Sequence, residues 1–173
     1  MGLAALILAG CEVKHGPKYT VNDPKDPNTT WRVDQPLDYQ AAMRNGHCPI
    51  SLPPEARNIQ FVDFYAGWGG FSKCVRFEAP VEVCRERARA VIADHNSKHA
   101  READKLPTTP SPLAGTLGES LRRNASLGEP VSQAPWFDSN AIQRGEVWGE
   151  DRSRAPIMLI DLDRGVFYYQ IAD

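Results

Sequence analysis

The chain has 173 residues, the length of one domain or a little more. Its 20 basic and 22 acidic side chains nearly cancel, which argues against a nucleic-acid binder and against a polyacidic tail. With 42% hydrophobic residues and no apolar run of the roughly 18 residues that span a bilayer, composition excludes collagen, coiled coil, polytopic membrane protein and a wholly disordered chain.

Residues 1–10, MGLAALILAG, are almost purely apolar and end at Cys11. The run is too short to span a membrane as a helix and has the character of a secretory h-region. Leu8-Ala9-Gly10-Cys11 resembles the lipobox of bacterial lipoproteins, whose small residues let the processing enzyme approach the backbone. That resemblance implies a signal peptide over 1–10, diacylglycerol on the Cys11 thiol, cleavage before Cys11 and acylation of the new amino group. No Lys or Arg precedes Cys11, so a start codon farther upstream that restores a basic n-region is expected. N-myristoylation competes poorly, because Leu6 stands where Ser or Thr is needed after Gly2. Two or three acyl chains, at about 0.8 kcal/mol per buried methylene, hold such a protein firmly at a membrane surface. Glu12 after the cysteine, by the sorting habit of enteric lipoproteins, favours the outer membrane over the inner one.

Residues 11–30 form the expected tether: Pro17, Pro24 and Pro27 stand among Asn, Asp, Thr and Lys, with little to bury. A single domain then runs over 31–173. Trp31 to Met43 reads as an arm packed on it, with a short helix bounded by Pro36 and Asn45-Gly46. Alternation of apolar residues predicts a strand over 58–65 and a second over Phe71 to Glu78, joined by the glycine-rich Ala66-Gly67-Trp68-Gly69-Gly70.

Pro80 opens a helix expected over about 80–100, with Val81, Cys84, Ala88, Val91, Ile92 and His95 as one apolar stripe. A long loop at about 104–134 follows, rich in Pro, Ser, Thr and Gly. Pro135-Trp136-Phe137 returns the chain to the core. PIMLIDL (156–162) and VFYYQI (166–171) are two more strands, turning at Asp163-Arg164-Gly165. The expected fold class is α+β: an antiparallel sheet of about four strands, made of two hairpins, covered by one long helix, in the order β-β-α-loop-β-β.

For an exported chain, Cys48, Cys74 and Cys84 predict one disulfide and one odd thiol. A Cys48–Cys84 bridge would tie the entry segment to the helix and contribute roughly 3–4 kcal/mol by loop entropy. Cys74–Cys84 is an alternative pairing, and three free thiols is another. His95 and His99, four apart on a helix, could supply two metal ligands, but the intervening Asn96-Ser97-Lys98 lacks the glutamate of the zincin pattern. Asp161 to Gly165 is a hairpin turn more than a calcium loop, its glycine falling one position early. Phosphate-cradle glycines, Gly-x-Ser-x-Gly and Ser-x-x-Lys do not occur. The aromatics of the two hairpins read as core and cross-strand pairs, with Trp68 at a hairpin tip as a docking aromatic.

Leu-Pro-Pro-Glu-Ala-Arg-Asn-Ile (52–59) and Val-Arg-Phe-Glu-Ala-Pro (75–80) are similar to segments of uncharacterised bacterial lipoproteins, which carry no known activity. The expectation is a lipid-anchored, extracytoplasmic envelope protein without cofactor or catalytic residues. It would meet the membrane through Cys11 and an envelope protein through its domain, as a non-enzymatic binding or assembly module. The rival is a small extracytoplasmic metal-binding protein or hydrolase using His95, His99 and a carboxylate of the long loop.

Overall fold

The computed structural model describes residues 20–21, 29–66, 69–113 and 134–173. In chain order these form β1 (Thr20–Val21), β2 (Thr29–Leu37), α1 (Tyr39–Asn45), β3 (Arg57–Tyr65), β4 (Phe71–Glu78), α2 (Val81–Lys98), β5 (Ser111–Pro112), β6 (Gly145–Gly149), β7 (Ile157–Asp161) and β8 (Val166–Ala172). The strands join one sheet in the order β1-β2-β3-β4-β8-β7-β6-β5, antiparallel throughout except for the short β1–β2 pair.

This corrects the expected fold. The sheet is not a four-stranded platform under one long helix: it has eight strands, and the two predicted hairpins are only its centre. Trp31 to Leu37, read as an arm, belongs to the nine-residue β2, which pairs with β3 through a register shift between Val33 and Leu37. Asp34, Gln35 and Pro36 break the alternation that marks a strand, so β2 owes its extended form to its partner rather than to its own pattern. GEVWG, bounded by glycine at both ends, becomes β6 because β7 offers it a ladder. Thr20–Val21 lies in the stretch read as tether, yet it pairs in parallel with Thr29–Thr30. Cys11, Trp68 and the centre of the long loop (114–133) lie outside the described residues.

Strand parity sorts the side chains onto two faces. Ile59, Phe61, Val75, Phe77, Phe167, Tyr169, Met158 and Ile160 point to one face, where Cys84, Ala88, Val91 and Ile92 of α2 pack on them. At its centre Phe77 and Phe167, opposite each other in register, stack with ring centroids 4.7 Å apart. The helix reaches only β7 and β8 among the strands with substantial contact, so it covers part of this face. The neighbouring part lies under α1 and the segment after it. Asp38 caps α1, its Oδ1 accepting from Ala41 N at 2.7 Å, and Gly46 ends it at φ 74°.

The opposite face is covered by the return segment. Trp136 and Phe137 pack on Val62, Phe64, Ala66 and Cys74, and Phe137 meets Tyr168 edge-on at 5.4 Å. Arg85 of α2 reaches Glu146 of β6, its Nε 3.1 Å from both carboxylate oxygens, and Arg89 lies 5.6 Å from the Trp148 ring centre. The β7–β8 turn closes on Asp161, whose Oδ1 accepts from the amides of Asp163 and Arg164. Gly165 there takes φ 64°, and a Cβ would lie 2.5 Å from the Ala79 carbonyl, so only glycine fits. No helix among the described residues is long and apolar enough to cross a membrane.

Candidate functional site

The apolar character of the helix-bearing face breaks down at one end of the β3–β4 hairpin. Asp63 and Lys73 face each other across the ladder, with Tyr65 and Phe71 as the next cross-strand pair on the same face. Trp31 of β2 pairs with Asp63 on its other side, and Ile171 of β8 pairs with Lys73. Sheet register alone thus sets an acid, a base and three aromatic rings side by side.

Lys73 is the hub. Its Nζ lies 3.3 Å from Asp63 Oδ1, donates to the Tyr65 hydroxyl and sits 4.4 Å from the Tyr65 ring centre. The side chains of Lys73 and Asp63 are only 19% and 13% exposed, so the pair is largely withdrawn from water. Burial opposes the Lys73 charge, but Tyr65 and Asp63 outweigh it and hold the ammonium above its ordinary pKa. Burial wins at Asp63, whose pKa is raised although Lys73 and His47 draw it down. Tyr65 itself is 43% exposed and faces outward.

Beside this pair His47 stacks on Trp31, ring centres 3.5 Å apart and nearly parallel, which fixes the segment leading from α1. Cys48 follows, half-buried, and burial pushes its thiol up to about 11. Arg87 of α2 is close by; burial lowers its pKa, and its Nε is buried with no hydrogen-bond partner among the described residues. A groove of about 430 Å³ opens between the Tyr65–Phe71–Lys73 wall and the C-terminal half of α2, at Asp94, His95 and Lys98.

The structure treats the sequence candidates unequally. The Cys48–Cys84 bridge is not made: Cys48, Cys74 and Cys84 are all free. Cys84 donates to the Ala79 carbonyl at the first turn of α2, while Cys74 is buried on the opposite face of the sheet. Burial raises the Cys84 pKa to about 12 and lifts Cys74 as well, so neither thiol is a ready thiolate.

His95 and His99 do come together, but ring on ring, with centroids 4.2 Å apart. His95 Nε2 lies 3.3 Å from the Asp104 carbonyl oxygen, and the Asp104 carboxylate is held by Arg101 at 2.7 Å. Among the described residues no group of three or more His, Cys, Asp or Glu side chains is placed to hold a metal ion.

Neither Asp63 nor Lys73 stands out by motif. The available signal is parity, since each shares its inward position with apolar neighbours, Phe61 and Val75, on its own strand.

His95 gives the fold a pH dependence. Burial, then the charges of His99 and Arg152, lower its pKa below 6.5 despite the Asp104 carbonyl. The unfolded chain therefore binds this proton more readily than the folded one. The contribution is complete above the unfolded pKa and is lost as pH falls through the folded one. His95→Gln is expected to flatten the decline in urea stability as pH falls below about 6.5, measured against the parent protein. No protein family, curated protein or solved structure is found to match the chain.

Proposed function

We propose that the chain is a lipid-anchored protein of the bacterial envelope, favouring the outer membrane, and that its sheet domain is a non-enzymatic binding module. The observation that carries the location is Leu8-Ala9-Gly10-Cys11 at the end of an apolar run. Binding rather than catalysis is supported by the state of the reactive groups. The thiols have raised pKa values, His95 is turned to a backbone carbonyl, and Lys73 is committed to Asp63 and Tyr65. A groove with Tyr65 at its rim is open at the end of the β3–β4 hairpin. A tethered domain with such a groove would meet its envelope partner at the membrane surface.

The test is the intact mass of the protein produced in a bacterium from a start that supplies a basic n-region. Cleavage before Cys11 with added acyl chains is the expected result, and Cys11→Ala should release the protein from the membrane fraction. A full-length chain without lipid, made from a start that supplies the basic n-region, would refute the anchor.

A further inference from the structure

The groove beside Lys73 has a chemical bias that narrows what it can hold. A lysine ammonium has three N–H donors and a tyrosine hydroxyl one. Lys73 directs its charge at Asp63 on the inner side and donates to Tyr65 Oη, which leaves a third N–H. Because the Tyr65 oxygen accepts from Lys73, its own proton points away from Lys73, and among the described residues it has no acceptor. The acceptors near the groove are paired with cations: Asp94, on the facing helix, is held by Lys98 at 2.7 Å, and Asp63 Oδ1, buried without a hydrogen bond among the described residues, lies 3.3 Å from the Lys73 ammonium. Two donors side by side therefore open onto walls formed by Tyr65, Phe71, Val91 and Ile171. The volume of about 430 Å³ falls in the range of small-ligand sites.

We infer that this groove binds a carboxylate carried on an aromatic or aliphatic body, its oxygens accepting from Tyr65 Oη and Lys73 Nζ and its body lying against the Tyr65 and Phe71 rings. Two donors on adjacent strands suit the two oxygens of one carboxylate, and charge-assisted bonds of this kind are stronger than neutral ones. An amine would be repelled by the Lys73 ammonium and would find in the groove wall only the Asp94 carboxylate, which Lys98 already holds. An uncharged aromatic would use the walls and leave the donors unanswered. Asp63 acts as a positioning residue: it holds Lys73 against the sheet and, by partly neutralising it, limits affinity. The inference rests on the groove being the binding site and is independent of the lipid anchor.

The experiment is calorimetric titration of the full chain carrying Cys11→Ala, so that no lipid is present, with phenylacetate, benzyl alcohol and benzylamine. Phenylacetate is expected to bind about tenfold more tightly than benzyl alcohol, and benzylamine not measurably. Tyr65→Phe should weaken phenylacetate several-fold. Asp63→Asn, which leaves the ammonium uncompensated, should tighten it. Lys73→Met in the Asp63→Asn background, where no buried charge is orphaned, should abolish the preference for the acid. Equal binding of acid and alcohol, no binding of phenylacetate, or indifference to Tyr65→Phe would each overturn the inference. A chain that binds phenylacetate but is never acylated in the cell would refute the anchor and leave this site standing.

Discussion

Replacing Lys73 with Met is expected to destabilise the domain by about 3 kcal/mol near neutral pH, because it leaves a mostly buried carboxylate without its counter-charge. Asp63 is 13% exposed at its side chain, and burial already raises its pKa against the pull of Lys73. Without the ammonium, that rise must grow. A carboxylate with a raised folded pKa is stabilised relative to the unfolded chain as pH falls, since the folded state then holds the extra proton. The penalty of Lys73→Met should accordingly be larger at pH 8 than at pH 5, read from urea midpoints at both. In the double variant Asp63→Asn, Lys73→Met most of it should vanish, because no charge is stranded. A penalty that is independent of pH, or undiminished in the double variant, would show that Lys73 acts through its methylenes rather than its charge.

Phe77→Ala is expected to cost about 3–5 kcal/mol, the range for emptying a large aromatic site in a core that cannot collapse. Phe77 has no exposure, stacks on Phe167 at 4.7 Å and lies in β4, one of the two strands at the middle of the sheet. Shrinkage there is opposed from three directions, by β3, by β8 and by the core residues of α2. Met43→Ala is the control: Met43 is 53% exposed on α1, and its loss should change stability by less than about 0.5 kcal/mol. Chemical denaturation of the two variants side by side checks both values. Similar small losses would mean that the stacked pair does not sit in the load of the fold as its burial implies.

Elements with a strong internal rhythm were readable, and those held by neighbours were not. Strand 71–78 alternates over much of its length, strand 57–65 carries a compact run buried on both faces from Ile59 to Val62, and the buried positions of α2, Cys84, Ala88, Val91 and Ile92, recur at helical spacing. These signals are local and survive without a tertiary partner. The short strand β6 has no such rhythm: two glycines flank Glu146, Val147 and Trp148. Its state depends on pairing with β7 and on Arg85, sixty-one positions away, reaching Glu146. The candidate site was hidden for the same reason. Lys73 and Asp63 are ordinary charged residues until register puts them opposite each other. Counting cysteines could not choose among the pairings: Cys48, Cys74 and Cys84 are free in the structure, the sheet separates Cys74 from Cys84, and Cys84 donates to the Ala79 carbonyl.

By itself the sequence determined the two central hairpins, the helix between them and the return anchor Trp136-Phe137, because hydrophobic periodicity and turn chemistry act over a few residues. Only the tertiary structure decided that the sheet continues outward through β2 and β6 on its two sides, and that Cys74 lies on the opposite face from Cys48 and Cys84. It also decided that a buried ion pair faces a groove at the hairpin end. Each of these depends on which strand lies beside which, and pairing energy is shared between segments far apart in the chain, so no single stretch of residues carries its record.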